Sequence, residues 1–113
     1  MAITNREINS RPWLSDMYAD SYFPDALVDK IKAILFDLCE KIERERPGDE
    51  ASLLKLTHAA TERINDLAEE FDENDSELET VARESMGADF DFIVRSYGFD
   101  KVDIEDVIAP RDW

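Results

Sequence analysis

The amino-acid sequence predicts an all-α fold, an antiparallel helical bundle of three long helices with short helical additions at the N- and C-terminal ends. Apolar residues recur at three- and four-residue spacing along three stretches. Only short polar turns separate those stretches, which makes chain neighbours antiparallel. No stretch of note alternates with the two-residue period of a strand.

Residues 1–11 are polar and unpatterned and read as a flexible arm. Trp13, Leu14, Met17, Tyr18, Tyr22 and Phe23 follow as an aromatic-rich stretch. Pro12 suits the first position of a short helix, where its missing N–H costs nothing. Trp13 with Met17, and Leu14 with Tyr18, then share a helical face. The first long helix opens with Pro24 at its first position and Asp25 near the positive end of the dipole. Tyr22 and Leu27 have the spacing of a hydrophobic staple across that start. The apolar stripe is Leu27, Val28, Ile31, Ile34, Leu35, Leu38, Cys39 and Ile42, and Pro47-Gly48 stops it after Arg46.

Asp49 caps the second helix, whose stripe is Leu53, Leu54, Thr57, Ala60, Thr61, Ile64, Leu67, Ala68 and Phe71. Its end falls between Phe71 and Glu73. Ser76 and Glu79 have the spacing of a capping box, so the third helix is expected to begin at Ser76. Leu78, Val81, Ala82, Met86, Phe90, Ile93 and Tyr97 continue it imperfectly. Gly87 interrupts it and predicts a kink or a close helix contact. Gly98 fits the left-handed stop, with Phe99 folding back on Val94. Asp103 caps a last short helix through Ile108. Each long helix spans about 22 residues, or about 33 Å.

The 113 residues suit a single domain, and 43% are hydrophobic, enough for one core. Against 13 Lys and Arg stand 28 Asp and Glu, a net charge of −15. That field repels nucleic acid and anionic lipid, so neither is an expected partner. It attracts a basic protein, a basic peptide or a cation; the plainer reading is a charged surface that serves solubility. Cys39 is the only cysteine, the N-terminus lacks a signal-like apolar run, and no stretch has the ~18 apolar residues of a membrane span. The expected location is the cytoplasm.

Familiar chemistry is sparse. Gly48, Gly87 and Gly98 are the only glycines, which excludes a glycine-rich phosphate loop. No zinc-type Cys or His spacing occurs. His58 is the only histidine; with Glu62 one turn on, and Asp37 and Glu40 from the first helix, it is the one candidate metal or acid–base set. The paired Glu-x-x-His motifs of helical di-metal proteins are missing, and a lone surface histidine is the plainer reading. An EF-hand starting at Asp72 fails at its sixth position, Glu77, and its twelfth, Arg83. No cofactor is expected. Cys39 lies on the apolar stripe, where a buried thiol is inert.

The acids themselves form the clearest feature. Between Glu69 and Asp91 stand ten acids and one base, Arg83. Glu69, Glu70, Asp72, Glu73, Asp75, Glu77 and Glu79 form the candidate partner-binding surface. Trp13, Tyr18 and Tyr22 are a candidate aromatic interface, set against the commoner role of such residues in covering a core.

Three segments carry a resemblance: Tyr22-Phe23-Pro24-Asp25, Thr57-His58-Ala59-Ala60-Thr61-Glu62 and Ile108-Ala109-Pro110-Arg111-Asp112-Trp113. Together they resemble an uncharacterised bacterial family of small acidic proteins, a domain of unknown function. The resemblance implies a single bacterial domain and supplies no activity, ligand or catalytic residue.

The leading expectation is a non-enzymatic acidic module that binds a basic protein, as immunity or inhibitor proteins do; that parallel is analogy from size and charge. The alternatives are a metal-dependent helical enzyme using His58 and Glu62, and a structural or regulatory homo-oligomer. Monomer and homodimer are both compatible with the apolar stripes.

Overall fold

The computed structural model describes residues 3–113. Its helices are α1 (Arg6–Ser10), α2 (Ser15–Tyr18), α3 (Asp25–Glu45), α4 (Glu50–Glu73), α5 (Thr80–Ser96) and α6 (Ile104–Val107). The described residues contain no strand, and none of these helices is long and apolar enough to cross a membrane.

The two longest helices form the frame. Lys30 of α3 pairs with Glu70 of α4, and Asp37 Oδ2 meets Arg63 Nη1 at 2.7 Å. As one residue number rises the other falls, so α3 and α4 are antiparallel. Both turn signals between them operate. Arg46 closes α3 in the left-handed region, and the Asp49 carboxylate accepts the Ser52 N–H at 2.8 Å to open α4. The α3 start is one residue later than expected, because Pro24 is the cap and Asp25 the first helical residue. Phe23 and Val28 therefore occupy the staple positions, both buried, and Tyr22 is left at the surface.

The third long helix departs from a simple three-helix bundle. The nearest backbone neighbours of α5 are α2, α6 and α1, whereas α3 lies against α4. Its inward face, including Ala82, Met86, Phe90, Ile93 and Val94, joins the same core as the α3 and α4 stripes.

Helix α5 also starts at Thr80 rather than Ser76. Ser76 belongs to the end of α4. Its N–H reaches the Phe71 carbonyl at 2.9 Å, and the Asp75 N–H reaches Asp72 at 3.1 Å, with Asp75 left-handed at φ 56°. That is a Schellman stop, and it uses the residue that the capping box required. Residues 76–79 then form no helix or strand, and Glu79, itself extended, caps α5. The far end of α5 matches expectation: Gly98 has φ 94°, its N–H meets Arg95, and the Phe99 N–H meets the Val94 carbonyl at 2.9 Å. At Gly87 the helix runs on without a break, and an added Cβ would meet no atom within 4 Å. The close helix contact expected there is not present.

Residues 3–11 of the expected arm are packed rather than loose; Met1 and Ala2, also part of that expectation, lie outside the described residues. Asn5 caps α1, and Ile8 is fully buried. Thr4 and Asn5 donate their backbone N–H groups to Glu43 of α3, at 2.9 and 3.1 Å, and Tyr97 donates its hydroxyl to the same carboxylate at 2.6 Å. Burial alone would raise the Glu43 pKa, but these donors outweigh it and hold the carboxyl at about 2.

Pro12 does not open α2; Leu14 is its cap, left-handed at φ 51°. A non-glycine residue there costs about 1–2 kcal/mol. The Leu14 N–H donates to Asp89 Oδ2 at 2.8 Å, and Arg11 donates Nε and Nη2 to Asp89 Oδ1 at 3.0 and 2.9 Å. Asp89 is only 3% exposed. Burial raises its pKa, and the Leu14 and Arg11 donors partly offset that. The Arg11 guanidinium also lies 4.3 Å from the Phe92 ring centre.

Two predictions follow from these carboxylates. Arg11→Met strands a buried charge and should cost about 3 kcal/mol in denaturant unfolding, the low end for a broken buried pair because Arg11 is partly exposed. Adding Asp89→Leu should recover part of that loss, so the double variant is less destabilised than the two single losses combined; strict additivity would contradict the pairing. Glu43, with its depressed folded pKa, contributes stability above pH 4.5 that is lost as pH falls toward about 2. Glu43→Gln should therefore lower the midpoint at neutral pH and flatten its fall between those values. A variant with the wild-type acid profile would refute that role.

Candidate functional site: an acidic turn and its adjoining cleft

The end of α4 and the 76–79 segment carry the acids singled out in the sequence. Along 76–79 the side chains alternate: Ser76 and Leu78 are buried, Glu77 and Glu79 exposed. With Leu78 turned into the core, the glutamates on either side of it face solvent. Glu69, Asp72, Glu73 and Asp75 are exposed as well. None of these six pairs with a Lys or Arg among the described residues. Glu70 differs, half-buried and bound to Lys30 across the helix pair. The run's far end is not part of the surface, since Asp89 is buried with Arg11 and Asp91 pairs with Arg95 at 2.9 Å.

The aromatic candidates separate. Trp13 is core: its ring packs edge-on against Phe36 and Phe92, and its indole N–H donates to the Ile8 carbonyl at 3.0 Å. Tyr18 is half-buried and hydrogen-bonded to Asp29. Tyr22 alone is exposed, at 38%. Its phenol pKa is raised by desolvation and by the charges of Glu79 and Glu77, which places it against the acidic segment.

Glu77 also lines a cleft of about 430 Å³, between the end of α4, Leu78 and the C-terminal tail. The acidic residues Glu69, Asp72, Glu77 and Asp112 are part of its lining. Ser76 and Trp113 line it too, 1% and 8% exposed, and both hold a buried polar atom with no partner: Ser76 Oγ and Trp113 Nε1. Leaving such a group unpaired costs about 1–3 kcal/mol.

The tail that carries Trp113 is fixed from α4. Asn65 donates Nδ2 to the Pro110 carbonyl at 3.0 Å and accepts the Asp112 N–H at 2.9 Å. His58 meets the Asp106 carbonyl through Nε2 at 2.7 Å; a carbonyl only accepts, so Nε2 carries the proton. Arg111 pairs with Glu105 at 3.1 Å.

That contact assigns His58 a fastening role. Glu62 is exposed on the next turn with no hydrogen bond to it, and Asp37 is taken up by Lys41 and Arg63. No group of three or more His, Cys, Asp or Glu among the described residues is placed to hold a metal. Burial pushes the Cys39 thiol up to about 12, helped by the Glu43 charge and opposed by a Tyr97 hydrogen bond.

No curated protein and no solved structure matches the chain. One family model matches residues 7–113, spanning the α1–α6 frame, the acidic turn and the tail. On that match the chain belongs to DUF5713, a family of unknown function.

Proposed function

We propose that this protein is a non-enzymatic interaction module whose acidic surface receives a basic protein partner, in the manner of a small immunity or inhibitor protein. One observation carries the reading. Six exposed carboxylates, Glu69, Asp72, Glu73, Asp75, Glu77 and Glu79, crowd the end of α4 and the following segment, and none pairs with a Lys or Arg among the described residues. Like charges held together in a fold repel one another, and an oppositely charged partner relieves that repulsion and is steered to the site. Tyr22 beside Glu77 and Glu79 adds an aromatic face of the kind that attracts cations. The cytoplasm is the location this reading assumes, and a cofactor has no part in it.

The metal-enzyme alternative loses support because His58 is engaged with Asp106. The homo-oligomer alternative has little apolar surface behind it: Tyr22 and Val81 are the large hydrophobic residues left exposed among those described.

The surface reading predicts a kinetic result. A basic peptide such as poly-lysine should associate rapidly at low salt, with a rate that falls steeply as NaCl rises. The quadruple variant Glu73→Lys, Asp75→Lys, Glu77→Lys, Glu79→Lys should associate at least about tenfold more slowly. Stopped-flow rates that match between the two proteins would sink the proposal.

A further inference from the structure

We infer that the cleft beside Glu77 is a seat for an extended segment of a basic peptide, which places an arginine or lysine among the carboxylates and a backbone carbonyl on the Trp113 indole. The inference rests on the interaction-module reading and adds the ligand's chemistry and its position. Two independent observations meet in this cleft. Glu69, Asp72, Glu77 and Asp112 supply negative charge at its walls. Ser76 Oγ and Trp113 Nε1, on residues that line the same space, are buried without partners.

The two orphan atoms define the ligand more narrowly than charge does. An indole N–H only donates, so its partner must be an acceptor. Ammonium and guanidinium groups offer donors only, so a bare cation satisfies the carboxylates and leaves Trp113 unpaired. A peptide supplies both, the cation on its side chain and the acceptor on its backbone. Ser76 Oγ accepts from the cation or the peptide N–H. Both atoms are buried at the cleft wall, so seating the peptide requires the two side chains to turn toward it. Asn65 keeps the tail backbone fastened, and His58 keeps α6 in place ahead of it.

The internal control is built in. The chain has two tryptophans, and the Trp13 indole is already bonded to the Ile8 carbonyl. In ¹H–¹⁵N spectra a capped arginine tetrapeptide should shift the Trp113 indole signal downfield and leave that of Trp13 in place. Spermine, a cation of equal charge without carbonyl groups, should leave both in place. Trp113→Phe keeps an aromatic ring, smaller than the indole, and removes the donor; it should weaken the peptide about three- to tenfold and spare spermine, and Ser76→Ala should weaken the peptide less. Dispersed amide spectra would confirm that both variants fold. If peptide and spermine bind alike, and Trp113→Phe changes neither, the cleft inference is overturned and the acidic-surface reading stands. If neither ligand binds at low salt, both fall together.

Discussion

The buried carboxylate of Asp89 is the constraint on which the arrangement of this fold depends. It sits on the inward face of α5, almost fully removed from water. A charge in that position is tolerated only when donors surround it. Those donors are Arg11 and the Leu14 N–H, both on the N-terminal side of the chain. Satisfying Asp89 therefore pulls the segment between α1 and α2 onto α5. The left-handed backbone at Leu14 is the local cost of aiming its N–H at the carboxylate. Glu43 does the corresponding work ahead of α1, gathering Thr4 and Asn5, and Tyr97 at the end of α5, onto α3. Between them, the two acids bind the N-terminal residues into the core and couple α5 to the α3–α4 pair.

This division of labour separates the acids into two populations. Asp89 and Glu43 are held by internal donors and serve the fold. The exposed acids of α4's end and the 76–79 segment pair with no Lys or Arg among the described residues, and on the proposed reading they are the ones a partner meets. The same chain thus uses one residue type to close its structure and to charge its surface. The tail completes the separation. Asn65 of α4 grips its backbone and His58 holds α6 just ahead of it, which sets Trp113 beside the acidic segment rather than in solvent.

The elements legible in the sequence were those governed by local rules. The α3 and α4 stripes, the Asp49 and Asp103 caps and the Gly98 stop each need only residues within a turn or two. Ser76 shows where local rules collide. Its spacing to Glu79 suited a helix start, but its N–H was claimed by the stop of the preceding helix, with Asp75 adopting a backbone usually left to glycine or asparagine. Leu14 carried no comparable signal, because its conformation answers to a carboxylate 75 residues away. Asp89 did carry one. It falls three residues after Met86 and four before Ile93, on the buried stripe, which sets it apart from the exposed acids of its run. The acidic surface was readable from charge alone, whereas the cleft was not, since Ser76 and Trp113 meet only in the folded chain.

The measurement that tests this account most directly is native-state hydrogen exchange at the Leu14 amide. If Asp89 ties the N-terminal segment into the cooperative core, Leu14 exchanges only when the whole domain unfolds, with the protection of core amides of α5 such as Ile93. Exchange through a local opening at least about 2 kcal/mol below the global value would contradict it. It would show instead that the N-terminal segment detaches while the helical core stays folded.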